Sequence, residues 1–385
     1  MRVRMVSALL VVVVVGLFVE CRLAENEQSE FRIGFIAPLT GVLRDVGASS
    51  LEGAQIALDE LEGRGGLNTG EMRYRVNLIL EDSQNKPELA VRAAQELINH
   101  ENVGVIIGPP ISSLAIPLAR LCSKSGILMI TQASTHPDVT KDTDCVYRTC
   151  FTDTFQGEVM ARFAREQLEA SKAAVLFDVA NAFNRGITEI FMTRFEAIGG
   201  KIVASETYTT GEQDFREQLE LIAASRPDVL FLPNYVNEIR LQTDQIRELG
   251  LDFQIIGADT MHFRNAEDIA RIEGAYFSTH FSAEMPDERV QTFRKAYRDK
   301  FQREATPAGA LTYDALNILF QDVETQQSVD PLKLREGMKE LGRYVGITGI
   351  MEFNGSPDPS KSAVIMHVEN GMFHFFSRID PWTRR

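Results

Sequence analysis

The chain predicts an α/β fold built as two similar lobes around parallel sheets. Two observations carry this. Six short apolar runs each end in a small or polar cluster, and a helical pattern usually follows. The same strand–helix alternation then restarts from Phe155, after a first block that closes near Cys150. Strands alternating with helices build parallel sheets, and small ligands bind beyond the carboxyl ends of such strands. The six runs reach that position at Thr40-Gly41, at Pro109–Ser113, at Thr131–Thr135, at Asp178–Asn181, at Pro233–Tyr235 and at Gly257–Asp259.

The elements follow in order. Residues 21–30 read as a polar, aperiodic tether, and Phe31–Pro38 as a strand. Leu51–Leu61 reads as a helix, with Leu51, Ala54, Ile56, Ala57, Leu58 and Leu61 on its apolar face. Gly63–Gly70 is turn-rich, and Tyr74–Glu81 alternates Val76, Leu78 and Leu80 as a strand does. Pro87–Asn99 is a helix with proline at its start, where the missing N–H costs little. Val103–Gly108 is a continuous apolar strand of the kind covered on both faces. In the second block, helices at Gln156–Leu168, Arg185–Ile198, Asp214–Ala224 and Ile239–Leu249 alternate with strands. Those strands lie at Ala173–Phe177, Lys201–Tyr208, Asp228–Leu232 and Phe253–Gly257. Gly274–Phe281 is a further strand. Helical patterns at Glu288–Phe301, Gly309–Glu324 and Lys333–Leu341 read most simply as a return to the first lobe. Ala363–Val368 and Met372–Ile379 flank Asn370-Gly371, a strong hairpin signal, and belong on or near the second lobe.

The 385 residues suffice for two domains. A formal charge of −14 argues against a nucleic-acid partner. Arg2 and Arg4 precede the uncharged apolar run Met5–Val19, which suits a secretory signal at 1–20; an uncleaved anchor is the plainer alternative. Cys21 follows directly, as in bacterial lipoproteins, although Glu20 stands where that pattern wants a small residue. The expected location is periplasmic or extracytoplasmic, with Cys21 the candidate for a lipid anchor. Cys122 reads as a core residue on an apolar helix face; spacing alone pairs none of Cys122, Cys145 and Cys150.

Catalytic signatures are missing from the sequence. There is no GxxxxGK[ST] and no GxGxxG opening a helix after a strand. HExxH and GxSxG are also absent. His136, His262 and His280 lie near strand ends without an obvious nucleophile. No enzyme, cofactor or metal site is expected.

The ordered strand-end clusters resemble the type I periplasmic binding proteins of branched-chain amino acid ABC transporters, above all the leucine/isoleucine/valine-binding proteins. The matching segments begin with Ile33–Gly41 and Gly53–Ala57. Gly104–Gly108 with Ser112-Ser113 and Ile130–Pro137 follow. Tyr147–Thr149, Phe155–Gly157 and Thr312–Ala315 complete the set, which spans roughly residues 31–378. The resemblance implies two Rossmann-like lobes joined by three crossovers and closing on a ligand. It places lobe 1 at 31–150 plus 281–345, and lobe 2 at 151–280 plus 346–380. It implies a receptor that hands an amino acid to a membrane permease with cytoplasmic ATPases.

An amino acid is a zwitterion, so its receptor must satisfy one carboxylate, one ammonium and a side chain. Ser112 stands between a strand and a helix, where a hydroxyl and free N–H groups suit an anion. The plainer reading is that it caps the helix. By the resemblance Ser112 contacts the carboxylate, and the loop of Ala133, Ser134 and Thr135 offers main-chain groups and a hydroxyl. Asp259 would then face the ammonium. Tyr235 covers the ligand, and Phe183 replaces a family tyrosine, keeping a packing face without the hydroxyl. Val46 stands where those binders carry a bulky aromatic, and Pro109–Ile111 stiffens the loop before Ser112. With Phe183, Tyr235 and Met261 close in the chain, a branched-chain, other apolar or aromatic ligand is expected. One rival is a sensor subunit for amides, urea or aromatic acids on the same fold. The other is a hydrolase on that scaffold.

Overall fold

The computed structural model describes residues 29–381. The leader at 1–20, Cys21 and most of the tether lie outside the described residues. Ser29 and Glu30, assigned to the tether by composition, open the first strand and pair with Tyr74 and Arg75.

One sheet contains β1 (Ser29–Ala37), β2 (Leu67–Asn68), β3 (Arg73–Asp82), β4 (Val105–Ile107), β5 (Leu128–Thr131) and β6 (Val146–Arg148), in the spatial order 2-3-1-4-5-6. All neighbours are parallel except β2, which runs against β3. Helices α1 (Arg44–Gly63), α2 (Pro87–Asn99) and α3 (Ser112–Ser125) connect its strands. Every residue of β4 is buried, as a parallel strand covered on both faces requires. Gly126 ends α3 in the left-handed conformation, at φ 70°.

α4 (Asp153–Glu166) leads into a second sheet. β7 (Lys172–Asp178), β8 (Lys201–Tyr208), β9 (Val229–Leu232), β10 (Ile255–Gly257) and β11 (Tyr276–Thr279) lie parallel in the order 11-10-9-7-8. Between them run α5 (Ala182–Ala197), α6 (Arg216–Ser225), α7 (Val236–Glu248) and the short α8 (Ala266–Ala270). The chain then returns to the first lobe as α9 (Glu288–Phe301), α10 (Pro307–Gln326), α11 (Pro331–Glu340) and a separate two-stranded hairpin, β12 (Arg343–Gly346) and β13 (Gly349–Glu352). Leu316 and Leu319 of α10 share a core with Phe31, Ile33 and Leu61. The last hairpin, β14 (Ala363–Glu369) and β15 (Met372–Ile379), joins the second sheet antiparallel to β11.

Among the described residues the chain therefore crosses between the sheets three times, after β6, after β11 and after β13. The third crossing comes later than a division at 345 allows. Met351 and Phe353 are buried in the first lobe's core, so residues 346–353 stay with that lobe. The α1 helix also starts seven residues before its apolar periodicity does. Its first turns bury Gly47, Ser49 and Ser50, which are small or polar and so carry no apolar period. A Cβ on Gly47 would lie 2.1 Å from the Pro38 carbonyl oxygen.

Two polar clusters hold the crossings. The fully buried Arg148 donates to Asp358 Oδ1 at 2.6 Å, to the Ser134 carbonyl at 2.7 Å and to Thr140 Oγ1 at 2.8 Å. Lys361 donates to the Thr149 carbonyl at 3.0 Å and to Thr348 Oγ1 at 2.7 Å, which in turn donates to Asp314. These bonds tie the first crossover to the third. Cys122, Cys145 and Cys150 are free and buried, with Cys122 in an apolar core as expected.

The late helices are locked to α1 where Gly53 meets Gly309. A Cβ on Gly53 would sit 1.9 Å from the Gly309 carbonyl oxygen, and backbone cannot yield there as a flexible side chain could. Gly53→Ala is expected to destabilise the fold by roughly 1–3 kcal/mol or more through over-packing. Urea unfolding of the variant measures this.

Candidate functional site

The carboxyl ends of both sheets face a shared cavity of about 100 Å³. That volume accommodates several water-sized groups. One wall comes from the first lobe, with Leu43, Val46, Ile111, Ser112, Ala133 and Thr135; α10 adds Ala308 and Leu311. The other wall carries Phe183, Tyr235, Val236, Asp259, Phe263 and His280.

On the first wall, Ser112 is the first residue of α3; the capping position before it is Ile111, whose side chain makes no capping bond. The Ser112 Oγ accepts the His136 N–H at 3.2 Å. The N–H groups of a helix's first turn have no intrahelical acceptor, so this end is a ready anion site. Gly108 makes the preceding turn possible. Its φ is +101°, and a Cβ there would meet the Ile36 carbonyl oxygen at 2.2 Å. The Pro109 carbonyl then accepts Thr131 Oγ1 at 2.6 Å and Ser134 Oγ at 2.9 Å. With Arg148 gripping the Ser134 and His136 carbonyls, the 132–136 loop is pinned on both flanks and presents Ala133 and Thr135 to the cavity.

On the second wall, Asn234 organises the strand ends. It donates to the Leu176 carbonyl at 2.9 Å and to Gln242 Oε1 at 3.0 Å, and accepts from Asn184 Nδ2 at 3.0 Å. Its own carbonyl accepts Thr260 Oγ1 at 2.6 Å. Tyr235 is thereby fixed at the start of α7, with its ring 5.8 Å from that of Phe183. Asn181 accepts the Phe183 N–H at 3.0 Å and so sets the first turn of α5. Burial, with Asp259 and Asp153 nearby, pushes the Tyr235 phenol upward, so it stays a neutral hydroxyl.

Asp259 is nearly buried, at 9% side-chain exposure. Gln156 Nε2 donates to its Oδ1 at 3.1 Å, and His280 Nε2 lies 3.0 Å from its Oδ2. Gln156 is held in turn by Ser278 Oγ at 2.9 Å. Behind Thr135 stands Asp153, almost wholly buried, whose carboxylate oxygens have no partner of good geometry. Burial first, and Asp259 in addition, push its carboxyl up to about 8, with the Thr135 hydroxyl offsetting part of the rise.

The two walls are also joined by charge. Arg264 of the second wall donates to Glu52 Oε2 of α1 at 3.1 Å. Glu52 is buried and additionally holds Arg303 and the Tyr297 hydroxyl. Arg240, also at the cavity, pairs with Asp268. Both cavity arginines therefore face carboxylates of the protein itself.

Six of the seven residues singled out by sequence, Ser112, Ala133, Thr135, Phe183, Tyr235 and Asp259, line this cavity. Ser134 does not; its hydroxyl turns back to the Pro109 carbonyl. Met261 does not line it either, because its side chain packs into the second lobe's core beneath Gly257. Phe263, two residues on, takes the apolar position at the wall. Sequence reasoning missed Asp153, Gln156 and His280. His280 was visible only as a histidine near a strand end, and its partner lies 21 residues away.

A protein-family model described as periplasmic binding protein matches residues 30–369. The Leu/Ile/Val-binding protein BraC3 of Rhizobium johnstonii is 30% identical over 327 residues, covering 83% of this chain and 86% of that one. Among solved structures, a leucine-binding protein LivK of Thermotoga maritima is 31% identical with a TM-score of 0.84, covering 91% of this chain and 99% of that one. The branched-chain amino acid transporter substrate-binding protein LivJ of Streptococcus pneumoniae, solved with isoleucine, is 25% identical with a TM-score of 0.84. It covers 92% of this chain and 100% of that one.

The raised Asp153 carboxyl fixes a sign for stability. In the unfolded chain it ionises near the ordinary value of 3.8, but in the folded protein only near 8. Its contribution is full below about pH 4 and is lost as pH rises through 8. Asp153→Asn, with no proton to release, is expected to gain on wild type by more than about 1.4 kcal/mol between pH 5 and 8, the worth of one pH unit. Denaturant midpoints without ligand at the two pH values measure it.

Proposed function

The chain belongs to the periplasmic binding protein family, and on that premise we propose that it is the extracytoplasmic substrate-binding receptor of an ABC importer, capturing a neutral apolar amino acid. The observation that carries the reading is the pairing of walls. A helix N-terminus with Ser112 faces, across an apolar cavity, a carboxylate at Asp259 held by neutral donors. That arrangement matches the two charges of a zwitterion.

In this reading Ser112 and the first N–H groups of α3 take the ligand carboxylate. Thr135, the Ala133 main chain and Asp259 take the ammonium. Phe183, Tyr235, Val46, Phe263 and Leu311 enclose the side chain. Uncharged side chains are favoured because Arg264 and Arg240 are already neutralised by Glu52 and Asp268. A charged side chain would be buried there without a partner. The resemblance to leucine- and isoleucine-binding relatives supports a branched-chain ligand.

Closure gives the affinity its conformational dependence. Lobe 1, at 31–150 with 281–353, and lobe 2, at 151–280 with 354–380, turn about the three crossovers. Only the closed form offers the ligand both Ser112 and Asp259, so ligand shifts the equilibrium toward closure. The protein then presents its cargo to a membrane permease driven by cytoplasmic ATPases and performs no chemistry on it. Export rests on the leader at 1–20, and Cys21 is the proposed acceptor of a lipid anchor.

Isothermal titration calorimetry with L-leucine tests the reading. Asp259→Asn is expected to weaken binding about 30-fold or more, because a buried ammonium loses its counter-charge. Ser112→Ala is expected to cost roughly tenfold, the worth of one hydrogen bond to a charged group. 4-Methylvalerate, which lacks the ammonium, is expected not to bind. Full binding of 4-methylvalerate, or an Asp259→Asn variant that binds like wild type, rejects the amino acid in favour of an acid or amide ligand.

Arg264→Ala tests the closing contact separately. It removes an interlobe ion pair but no proposed ligand contact, and Glu52 keeps Arg303. The closed form becomes less populated, and apparent affinity falls in proportion. A loss of about fivefold, equal for leucine, isoleucine and valine, is expected from the roughly 1 kcal/mol of one partly exposed pair.

A further inference from the structure

We propose that His280 is a positioning residue for the ligand's ammonium group: as a neutral imidazole it steers the Asp259 carboxylate without cancelling its charge, and its protonation expels a cationic ligand. The inference rests on the amino-acid reading above for the identity of that ligand. It rests on geometry for the device itself.

His280 sits at the second crossover, immediately after β11, and is 1% exposed at the cavity wall. Its Nε2 lies 3.0 Å from Asp259 Oδ2. Its Nδ1 is buried with no hydrogen-bond partner. Only one neutral tautomer fits this setting. With the proton on Nε2, the ring donates to Asp259 and leaves a lone pair at Nδ1, a bare acceptor in an apolar place. The opposite tautomer sets two lone-pair-bearing atoms against each other at 3.0 Å and buries an orphan N–H. The charged form also buries that orphan N–H.

The surroundings agree with a neutral ring. Phe151 of the first crossover covers its face, with centroids 3.7 Å apart. Lys361 of the third crossover opposes a positive imidazole, while Asp259 favours one. Burial outweighs the rest and drives the group below the ordinary histidine range. Three other titratable groups stand close to Asp259: the Cys150 thiol, pushed up to about 12 by burial, the Tyr235 phenol, also pushed up by burial, and Asp153. Gln156, the other donor to Asp259, does not titrate.

The consequence concerns which charges the carboxylate meets. Two neutral donors fix its plane, so its full charge is available to the ligand. If His280 becomes cationic, Asp259 acquires an internal counter-ion, and an incoming ammonium meets a like charge across one carboxylate. Bound ammonium must therefore lower the histidine's proton affinity further. Between the unliganded and liganded titration points, each ligand bound releases one proton, and affinity falls about tenfold per pH unit.

The test compares wild type with His280→Gln, whose amide keeps a donor but cannot titrate. Calorimetry with L-leucine from pH 7.5 down to the lowest pH at which both proteins stay folded is the measurement. Wild type is expected to lose affinity toward the acid end more steeply than the variant. The slope from Asp153 is common to both, so the difference belongs to His280. A general loss of affinity in the variant at pH 7.5 moves both ends of its curve and leaves this difference readable. Parallel curves, or a wild type no steeper than the variant, overturn the proposal. If L-leucine binds neither protein at pH 7.5, the functional reading fails, and an NMR titration of the His280 ring still decides the device. The ring is expected to titrate lower in Asp259→Asn than in wild type, and an unchanged titration overturns the coupling.

Discussion

A carboxylate held inside a closing cleft needs donors on its own side and an uncancelled charge on the other. Asp259 meets both conditions through Gln156 and His280, which reach it from α4 and from the end of β11. Neither donor brings a positive charge at neutral pH. An arginine in their place would satisfy the carboxylate inside its own lobe and leave nothing for a partner to complete. In the proposed reading the cavity thus receives the ligand's cation at Asp259 and its anion at the facing helix N-terminus of Ser112.

The same logic runs through the crossings. Arg148 spends its guanidinium on the Ser134 and His136 carbonyls, Thr140 and Asp358, so the first-lobe loop is set by the hinge itself. Lys361, drawn down to about 8 by burial, binds the Thr149 carbonyl and Thr348 at the same place. In the proposed closure, the three crossovers are the hinge and the cavity loops belong to the walls that Arg148 and Lys361 brace.

Charge at the rim separates from charge at the site. Glu52 is shared by Arg303 and the Tyr297 hydroxyl within the first lobe and by Arg264 across the gap. If the lobes part as proposed, Glu52 keeps its two first-lobe partners and only Arg264 is released, so opening would leave no unpaired buried charge.

The sequence by itself determined the alternating strands and helices, the return of the late helices and the final hairpin, because period, strand-end clusters and Asn370-Gly371 are local signals. It also placed the clusters that hold Ser112, Ala133, Thr135, Tyr235 and Asp259 at strand ends that a parallel sheet must gather on one edge, and the family resemblance picked those residues out of them. What it left undecided depends on packing between distant segments. The start of α1 was hidden because its buried residues there, Gly47, Ser49 and Ser50, are small or polar and carry no apolar period. The division near 345 was misplaced because only the burial of Met351 and Phe353 shows which core they join. Ser134 and Met261 share loops with true wall residues, and only tertiary structure decides which way each side chain turns. His280, Gln156 and Asp153 acquire meaning from Asp259, a neighbour in space but not in sequence.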